Sequence, residues 1–398
     1  MKICTVTGSR AEFYILKNLI KKFENNPPFK HHLIVTGSHN SKVFGNTINQ
    51  IKKEKIKIGS KINILLNNDT ELDISNSYAL GVKLFSKELL RLKPDILIIL
   101  GDRYEIFAAA VAACFNRIPI AHIHGGEITE GVIDEALRHS ISKMSHIHFV
   151  STKEYHRNLI QLGENPKHIF NIGSLGVENL KRTTLLNKKN LEKKLNLKFK
   201  KKNILITFHP ETINSRLQNN KNLKELFKSL HKLKETNLIF TMPGADINFK
   251  MIVKEIKNFI KINKNGYFFK SLGDQIYFSL CNEVDLMIGN SSSGIIEMPS
   301  LKKPTINLGV RQKGRVTADS IVNVDFDSKK IKRKINYVYS KKFCDSLNKI
   351  INPYEKKNSS EKIIQVLKKI KLKKILNKKF FYKSDNMKNQ KNYFLIKN

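Results

Sequence analysis

Residues 2–24 read KICTVTGSRAEFYILKNLIKKFE. Lys2–Thr7 is a short strand-like run, Gly8 and Ser9 interrupt it, and Tyr14–Phe23 then repeats apolar residues at i, i+3 and i+4, the spacing of an amphipathic helix. A strand that hands over to a helix through a glycine turn is half of a βαβ unit, and the first half of the chain repeats it. Candidate strands at His32–Thr36, Asp95–Leu100, Ile118–Ile123, Ile147–Ser151 and His168–Ile172 alternate with helical stretches such as Ile74–Leu92. That alternation predicts an α/β fold with a mostly parallel sheet.

The pattern breaks at the polar, Lys/Asn-rich stretch Thr183–Lys202 and then restarts. Its second series of strands is Asn203–Phe208, Asn237–Thr241, Tyr267–Phe269, Val284–Ile288, Thr305–Leu308 and Ser320–Val324. Two six-strand units predict two Rossmann-like domains facing a cleft. The expected divisions are residues 1–175, 176–355, and a C-terminal helix with a tail over 356–398. The last 28 residues hold nine lysines and one acidic residue, the composition of a frayed helix end or a disordered tail. No repeat of 20–50 residues is visible, so a solenoid is excluded.

With 398 residues, the chain has room for two to three domains at roughly 150 residues each and needs no disulfides to build a core. Its longest apolar run, Ile106–Phe115, is ten residues, too short to span a bilayer. A mean hydropathy of −0.34 agrees. Cys4, Cys114, Cys281 and Cys344 lie far apart and read as buried thiols of a reducing compartment. The net charge of +38 invites a nucleic-acid reading, but it comes from 61 lysines against 11 arginines, and phosphate readers favour Arg. No zinc-finger, RRM or basic-zipper pattern accompanies it. The expected protein is cytoplasmic and binds neither nucleic acid nor membrane.

The chemistry-bearing residues cluster at predicted strand ends, where open α/β sheets bind ligands. The first strand leads into Gly8-Ser9-Arg10-Ala11-Glu12, which lacks the dinucleotide fingerprint but offers Arg and a helix start to a diphosphate. The third leads into Gly101-Asp102-Arg103, and the fourth into His122-Ile123-His124-Gly125-Gly126-Glu127. Asp134-Glu135-x-x-Arg138-His139 then opens a helix, with Asp134 and Arg138 on one face. The His-rich stretch lacks an H-E-x-x-H spacing, so facing carboxylates that push their pKa values apart are the better reading than a metal site. In the second half, His209-Pro210-Glu211 and Asn290-Ser291-Ser292-Ser293-Gly294 through Glu297 suit phosphate and ribose hydroxyls, and Arg311-Gln312-Lys313-Gly314-Arg315 adds cations.

Taken in order, VTGSRAE (6–12), GDRYE (101–105), HIHGGE (122–127), DExxRH (134–139), FHPET (208–212), GNSSSG (289–294) and RQKGR (311–315) closely resemble the hydrolysing UDP-N-acetylglucosamine 2-epimerases of bacterial sialic acid synthesis. The resemblance covers about residues 1–355. It implies a glycosyltransferase-B-like fold, catalytic carboxylates in the first domain and UDP in the second, no cofactor and no metal. By matching position it makes Asp102, Glu127, Asp134 and His209 catalytic. It makes Arg10, Arg103, His124, Arg138, Leu272, Ser291, Ser292, Glu297 and Arg311 substrate-binding, with the uracil beside the backbone of Leu272. The implied reaction eliminates UDP across C1–C2 and adds water to the glycal, giving UDP and N-acetylmannosamine.

Two positions depart from relatives. His124 stands where some carry a carboxylate, leaving the proton work to either His124 or Glu127, and Gly244 stands where some carry a nucleotide-contacting Asn. The expected partners are a UDP-sugar and further copies of the chain, in a homo-dimer or tetramer. The same reaction on a UDP-2,4-diacetamido-2,4,6-trideoxyhexose is an alternative, as is a non-catalytic nucleotide-sugar binder.

Overall fold

Thirteen strands in two sheets carry the molecule in a computed structural model that describes residues 1–66, 69–231 and 233–382. The strands of the first sheet are β1 (Lys2–Thr7), β2 (Lys30–Val35), β3 (Ile58–Lys61), β4 (Ile96–Leu100), β5 (Ile120–Ile123), β6 (Ile147–Val150) and β7 (Ile169–Asn171). The second holds β8 (Lys202–Thr207), β9 (Thr236–Thr241), β10 (Gly266–Phe269), β11 (Leu286–Gly289), β12 (Thr305–Leu308) and β13 (Ile321–Val324). The orders are β3-β2-β1-β4-β5-β6-β7 and β10-β9-β8-β11-β12-β13, with every pairing parallel. These are two Rossmann-like α/β lobes, as the alternation predicts. The first sheet has seven strands, not six. Ile58–Lys61 escapes the sequence pattern because it is a four-residue edge strand, IGSK, with a glycine and a half-exposed face.

The central strands are buried on both faces, which is why they read as unbroken Ile/Leu/Val runs. All five residues of β4, ILIIL, are buried. The helix Arg10–Glu24 starts where Ser9 caps it. Ser9 accepts from the Glu12 amide while the Glu12 carboxylate accepts from the Gly8 amide at 2.7 Å, a reciprocal cap that fixes the turn after β1. Its inner face (Phe13, Leu16, Leu19, Ile20 and Phe23) packs with Ile363, Ile364 and Leu367 of the helix Ser359–Lys369, so the chain returns from the second lobe to the first. Each of those three aliphatic side chains contributes about 1.5–3 kcal/mol to holding that return in place.

Three expectations need correction. The stretch 183–202 is not uniformly polar linker, because it contains the helix Lys188–Leu195, whose Leu191 and Leu195 are buried in the second lobe. Cys114 and Cys344 are exposed, and only Cys4 and Cys281 are buried. Cys114 lies in the last turn of the helix Tyr104–Phe115, where the apolar run continues past the face that packs. The tail is pinned through residue 382. Lys378 donates to the carbonyls of Lys143 and Ser145 at 2.6 Å, at the end of the helix Asp134–Met144, and the Phe381 amide donates to Gly163 at 2.8 Å. Residues 383–398 lie outside the described residues. Among the described residues no helix is long and apolar enough to cross a membrane.

Candidate active site

Each strand order reverses at one place, between β1 and β4 in the first sheet and between β8 and β11 in the second. Loops leaving the carboxyl ends of strands diverge there and leave a crevice. The two crevices face one another across a cleft with a cavity of about 360 Å³. All thirteen residues singled out in the sequence line it: Arg10, Asp102, Arg103, His124, Glu127, Asp134, Arg138, His209, Leu272, Ser291, Ser292, Glu297 and Arg311. A larger hollow of about 900 Å³, lined by β13 and its neighbouring loops, contains none of them.

On the first lobe the turn after β5 presents two ionisable groups, His124 and Glu127, to the cleft. His124 has φ +67°, a conformation rare for a side-chain-bearing residue, and Gly126 follows at φ +73°. A Cβ on Gly125 would press on His122 and Ser142, and one on Gly126 would press on the Tyr155 carbonyl, so only glycines let the chain turn here. The turn points His124 Nδ1 at Glu127 Oε1, 2.9 Å away, and leaves buried Nε2 without a hydrogen-bond partner on the cleft side. Glu127 is 1% exposed and also accepts from Ser151 Oγ at 2.9 Å and from Arg315. Burial alone would raise its carboxyl, but Arg315 and His124 outweigh burial and hold it at about 2.

Asp134 opens the helix Asp134–Met144. Burial and then the Asp246 carboxylate push its carboxyl up to about 6, against the pull of Arg103 and Arg311. That places one carboxyl near neutrality beside another fixed as an anion, the separation acid–base chemistry needs. Asp102 pairs with Arg138 Nη2, while Arg138 Nη1 donates to the Glu127 carbonyl at 3.0 Å and to Thr129 Oγ1 at 2.9 Å.

On the second lobe, buried Asn290 is the hub. Its Oδ1 accepts from the His209 amide at 2.7 Å, its Nδ2 donates to the His209 carbonyl at 2.8 Å, and its own carbonyl accepts from Arg311 Nη1 at 3.1 Å. The Gly244 amide donates to His209 Nδ1 at 3.2 Å, which leaves Nε2 as the donor of a neutral ring. Burial and Arg311 push this imidazole below its usual range despite Asp246, which at 3.7 Å is too far to bond it. Glu297 caps the short helix Ser292–Ile296 against the backbone of Gly176, and burial pushes its carboxyl up to about 8.

The lobes are tied across the cleft by polar contacts. Arg10 Nη1 donates to the Lys270 carbonyl at 2.7 Å, and Gln50 Nε2 to Ser271 Oγ at 2.9 Å. Arg103 donates to Asp246 at 2.7 Å and to the Ala245 carbonyl at 3.1 Å, besides Glu105 at 3.0 Å. Arg103 is thus engaged by carboxylates on both sides, and an incoming phosphate would have to compete with Asp246 for it. Sequence reasoning counted Arg315 only as one more cation of its motif and gave no role to Asp246 or Asn290. Arg315 and Asn290 lay inside quoted motifs, whereas Asp246 follows Gly244-Ala245 with no signal of its own.

A family model described as UDP-N-acetylglucosamine 2-epimerase matches residues 21–368. A Campylobacter jejuni protein named GDP/UDP-N,N'-diacetylbacillosamine 2-epimerase (hydrolyzing) is 44% identical over 381 residues, 95% of this chain and 98% of the relative. Polysialic acid biosynthesis protein P7 of Escherichia coli is 39% identical over 368 residues, 92% of this chain and 93% of its own. The crystal structure of UDP-GlcNAc 2-epimerase from Neisseria meningitidis bound to UDP-GlcNAc matches with a TM-score of 0.79 at 21% identity, covering 93% of this chain and 100% of that one. At that identity the likeness is one of fold.

Proposed function

We propose, since the chain belongs to the UDP-N-acetylglucosamine 2-epimerase family, that its cleft binds a UDP-linked 2-acetamido sugar and releases it as the free C2 epimer. One observation carries this reading. The carboxyl ends of the first sheet present Asp102, His124, Glu127 and Asp134, while Arg10 joins His209, Arg311, Ser291 and Glu297 around the same cavity. A binder of nucleotide sugars has no use for the acid–base set.

In the proposed reaction a base on the first lobe removes the proton at C2. The electron pair forms the C1–C2 double bond, and UDP leaves with the electrons of the C1–O bond. Water oxygen then bonds to C1, and a proton returns to C2 from the opposite face. Removing a proton beside an acetamido group needs a placed base, and Asp134, poised near neutrality, suits that step. The departing diphosphate needs its charge met, for which Arg10, Arg311 and the neutral His209 Nε2–H are placed. Those cations support turnover without a divalent ion. Activity is therefore expected to persist in EDTA, and a complete loss restored by one added metal would reject this assignment.

With UDP-GlcNAc as substrate the products are UDP and N-acetylmannosamine, a step toward sialic acid. A second reading, a UDP-2,4-diacetamido-2,4,6-trideoxyhexose, is favoured by the name of the 44% identical Campylobacter relative, a diacetylbacillosamine 2-epimerase. Measuring kcat/KM with both sugars separates the two, and failure to epimerise either would reject the proposed function.

Glu297 is the proposed acceptor of the ribose hydroxyls. Raised to about 8 in the free protein, its carboxyl is mostly protonated at pH 7. Accepting two hydroxyl donors requires it to ionise, so UDP binding at pH 7 is expected to release a proton, and affinity should rise with pH up to about 8. Glu297→Ala should weaken UDP by about 1–2 kcal/mol. Calorimetry in buffers of different ionisation enthalpy reads both effects. Unchanged affinity, or binding without proton release, would remove Glu297 from this role.

A further inference from the structure

Arg315 is a second-lobe residue that does its bonding in the first lobe. It follows β12 in the loop that also carries Arg311, and its side chain, 8% exposed, ends on Glu127 Oε2. The other oxygen of that carboxylate holds His124 Nδ1. The loop is fastened to the first lobe on both sides of Arg315. The Glu130 amide donates to the Lys313 carbonyl at 3.1 Å, and the backbone of Gly131 lies against Val310 and Arg311 with no room for a Cβ. Beyond Arg315, the Val316 amide donates to Tyr155 Oη at 3.0 Å, and Tyr354 Oη donates to the Val316 carbonyl at 2.8 Å. A guanidinium held this firmly against a 1% exposed carboxylate is a fixed strut.

We infer that Arg315 is a positioning residue, which holds Glu127 as a permanent carboxylate and through it sets the orientation and protonation of His124, the imidazole that exchanges a proton with the sugar. The inference rests on the reading of the cleft as a UDP-sugar site, and it divides the work between His124 and Glu127. Arg315, Ser151 and His124 occupy three of the four lone-pair sites of the Glu127 carboxylate, whereas His124, whose ring lines the cleft, keeps Nε2 unpartnered. The strained φ of His124 fits a side chain held for chemistry. Because Arg315 comes from the second lobe, the proton-handling dyad of the first is complete only when the lobes meet. Binding of the nucleotide half is thereby coupled to readiness of the sugar half.

The charged and titratable groups around this imidazole are few. Glu127 and Arg315 touch it directly or through one atom pair. His122 on β5 lies beside it and His148 on β6 lies beside His122, both pushed down by burial. Arg138, with its partner Asp102, approaches from the helix Asp134–Met144, and Tyr155 and Glu297 lie beyond Arg315. Removing Arg315 takes away a cation and leaves the Glu127 charge uncompensated, so imidazolium is favoured and His124 should titrate higher. Removing the Glu127 charge while Arg315 stays has the opposite sign.

The test is a histidine-labelled NMR titration of the full chain, with the His124 resonance identified by its absence in His124→Gln. Arg315→Ala is expected to raise the His124 midpoint by about one pH unit or more, and Glu127→Gln to lower it. Arg315→Lys should restore the wild-type value. If Arg315→Ala fails to fold, the Glu127→Gln shift and the Arg315→Lys value decide. A His124 midpoint that stays put, or moves the same way in both charge-removing variants, would overturn the inference. Turnover is scored separately, because a wild-type protein that epimerises neither UDP-sugar sinks the proposed function while the titration still judges Arg315.

Discussion

Asp134→Asn is expected to lower kcat by about a hundredfold or more with UDP affinity unchanged, the loss typical of a missing acid–base group. The side chain is nearly isosteric, and the helix it opens is held by other contacts, so stability should survive. The pH dependence follows from the same carboxyl. Burial and Asp246 raise it to about 6 in the free protein, and a base must be ionised to work. So, below the Glu297 limb near 8, kcat/KM should lose about a further tenfold per pH unit under about 6, and that second limb should vanish in Asp134→Asn. Turnover in heavy water should place deuterium at C2 of the product, and ¹⁸O-labelled water should label the sugar at C1 and leave UDP unlabelled. A product that keeps its original C2 hydrogen would defeat the elimination route. Full activity in Asp134→Asn would defeat only the assignment of the base, in which case Asp102→Asn becomes the informative variant.

What the sequence disclosed and what it hid divide along physical lines. Runs such as ILIIL at β4 are legible because a strand buried on both faces must be apolar throughout. The edge strand β3 is illegible because an edge needs no such run. Strand-end motifs are legible because glycines and charged residues break the apolar rhythm where loops meet the cleft. Pairings across lobes have no local signature. Glu127 and Arg315 stand 188 positions apart, and Arg103 and Asp246 are separated by 143. The sequence therefore nominated the residues that line the cleft without showing which of them are already engaged with one another. Asp246 illustrates the point. Burial would raise its carboxyl, yet Arg103 and Arg311 outweigh burial and hold it well below the usual range, so it is an anchor for cations and not an acid. The docking of residues 371–382 was hidden for a related reason: a lysine-rich composition signals disorder, but Lys378 is consumed capping one helix end and neutralising buried Glu164.

Arg138→Met is expected to be the most destabilising of these substitutions. Arg138 is 2% exposed and its guanidinium joins Asp102, Glu135, Thr129 and the Glu127 carbonyl. Methionine keeps the apolar stem and removes every donor, stranding the Asp102 carboxylate, while Glu135 keeps the Thr129 amide and His139. Breaking a buried pair by deleting one partner costs about 3–5 kcal/mol, and the lower end applies because the Asp102 and Glu135 side chains keep 21% and 24% of their exposure. A loss of about 3 kcal/mol should lower Tm by about 10 °C in a lobe of this size. Thermal unfolding of Arg138→Met, Asp102→Asn and the double variant separates two roles for this residue. If Arg138 is a strut, the double variant is less destabilised than the sum of the singles, because removing Asp102's charge relieves what the first change stranded. If Arg138 served only as a ligand for the sugar nucleotide, substrate affinity would fall while Tm stayed at the wild-type value. The hydrogen bonds on both Nη atoms argue for the strut, and through it for Asp102 being held ready at the cleft edge by a residue that never needs to touch the substrate.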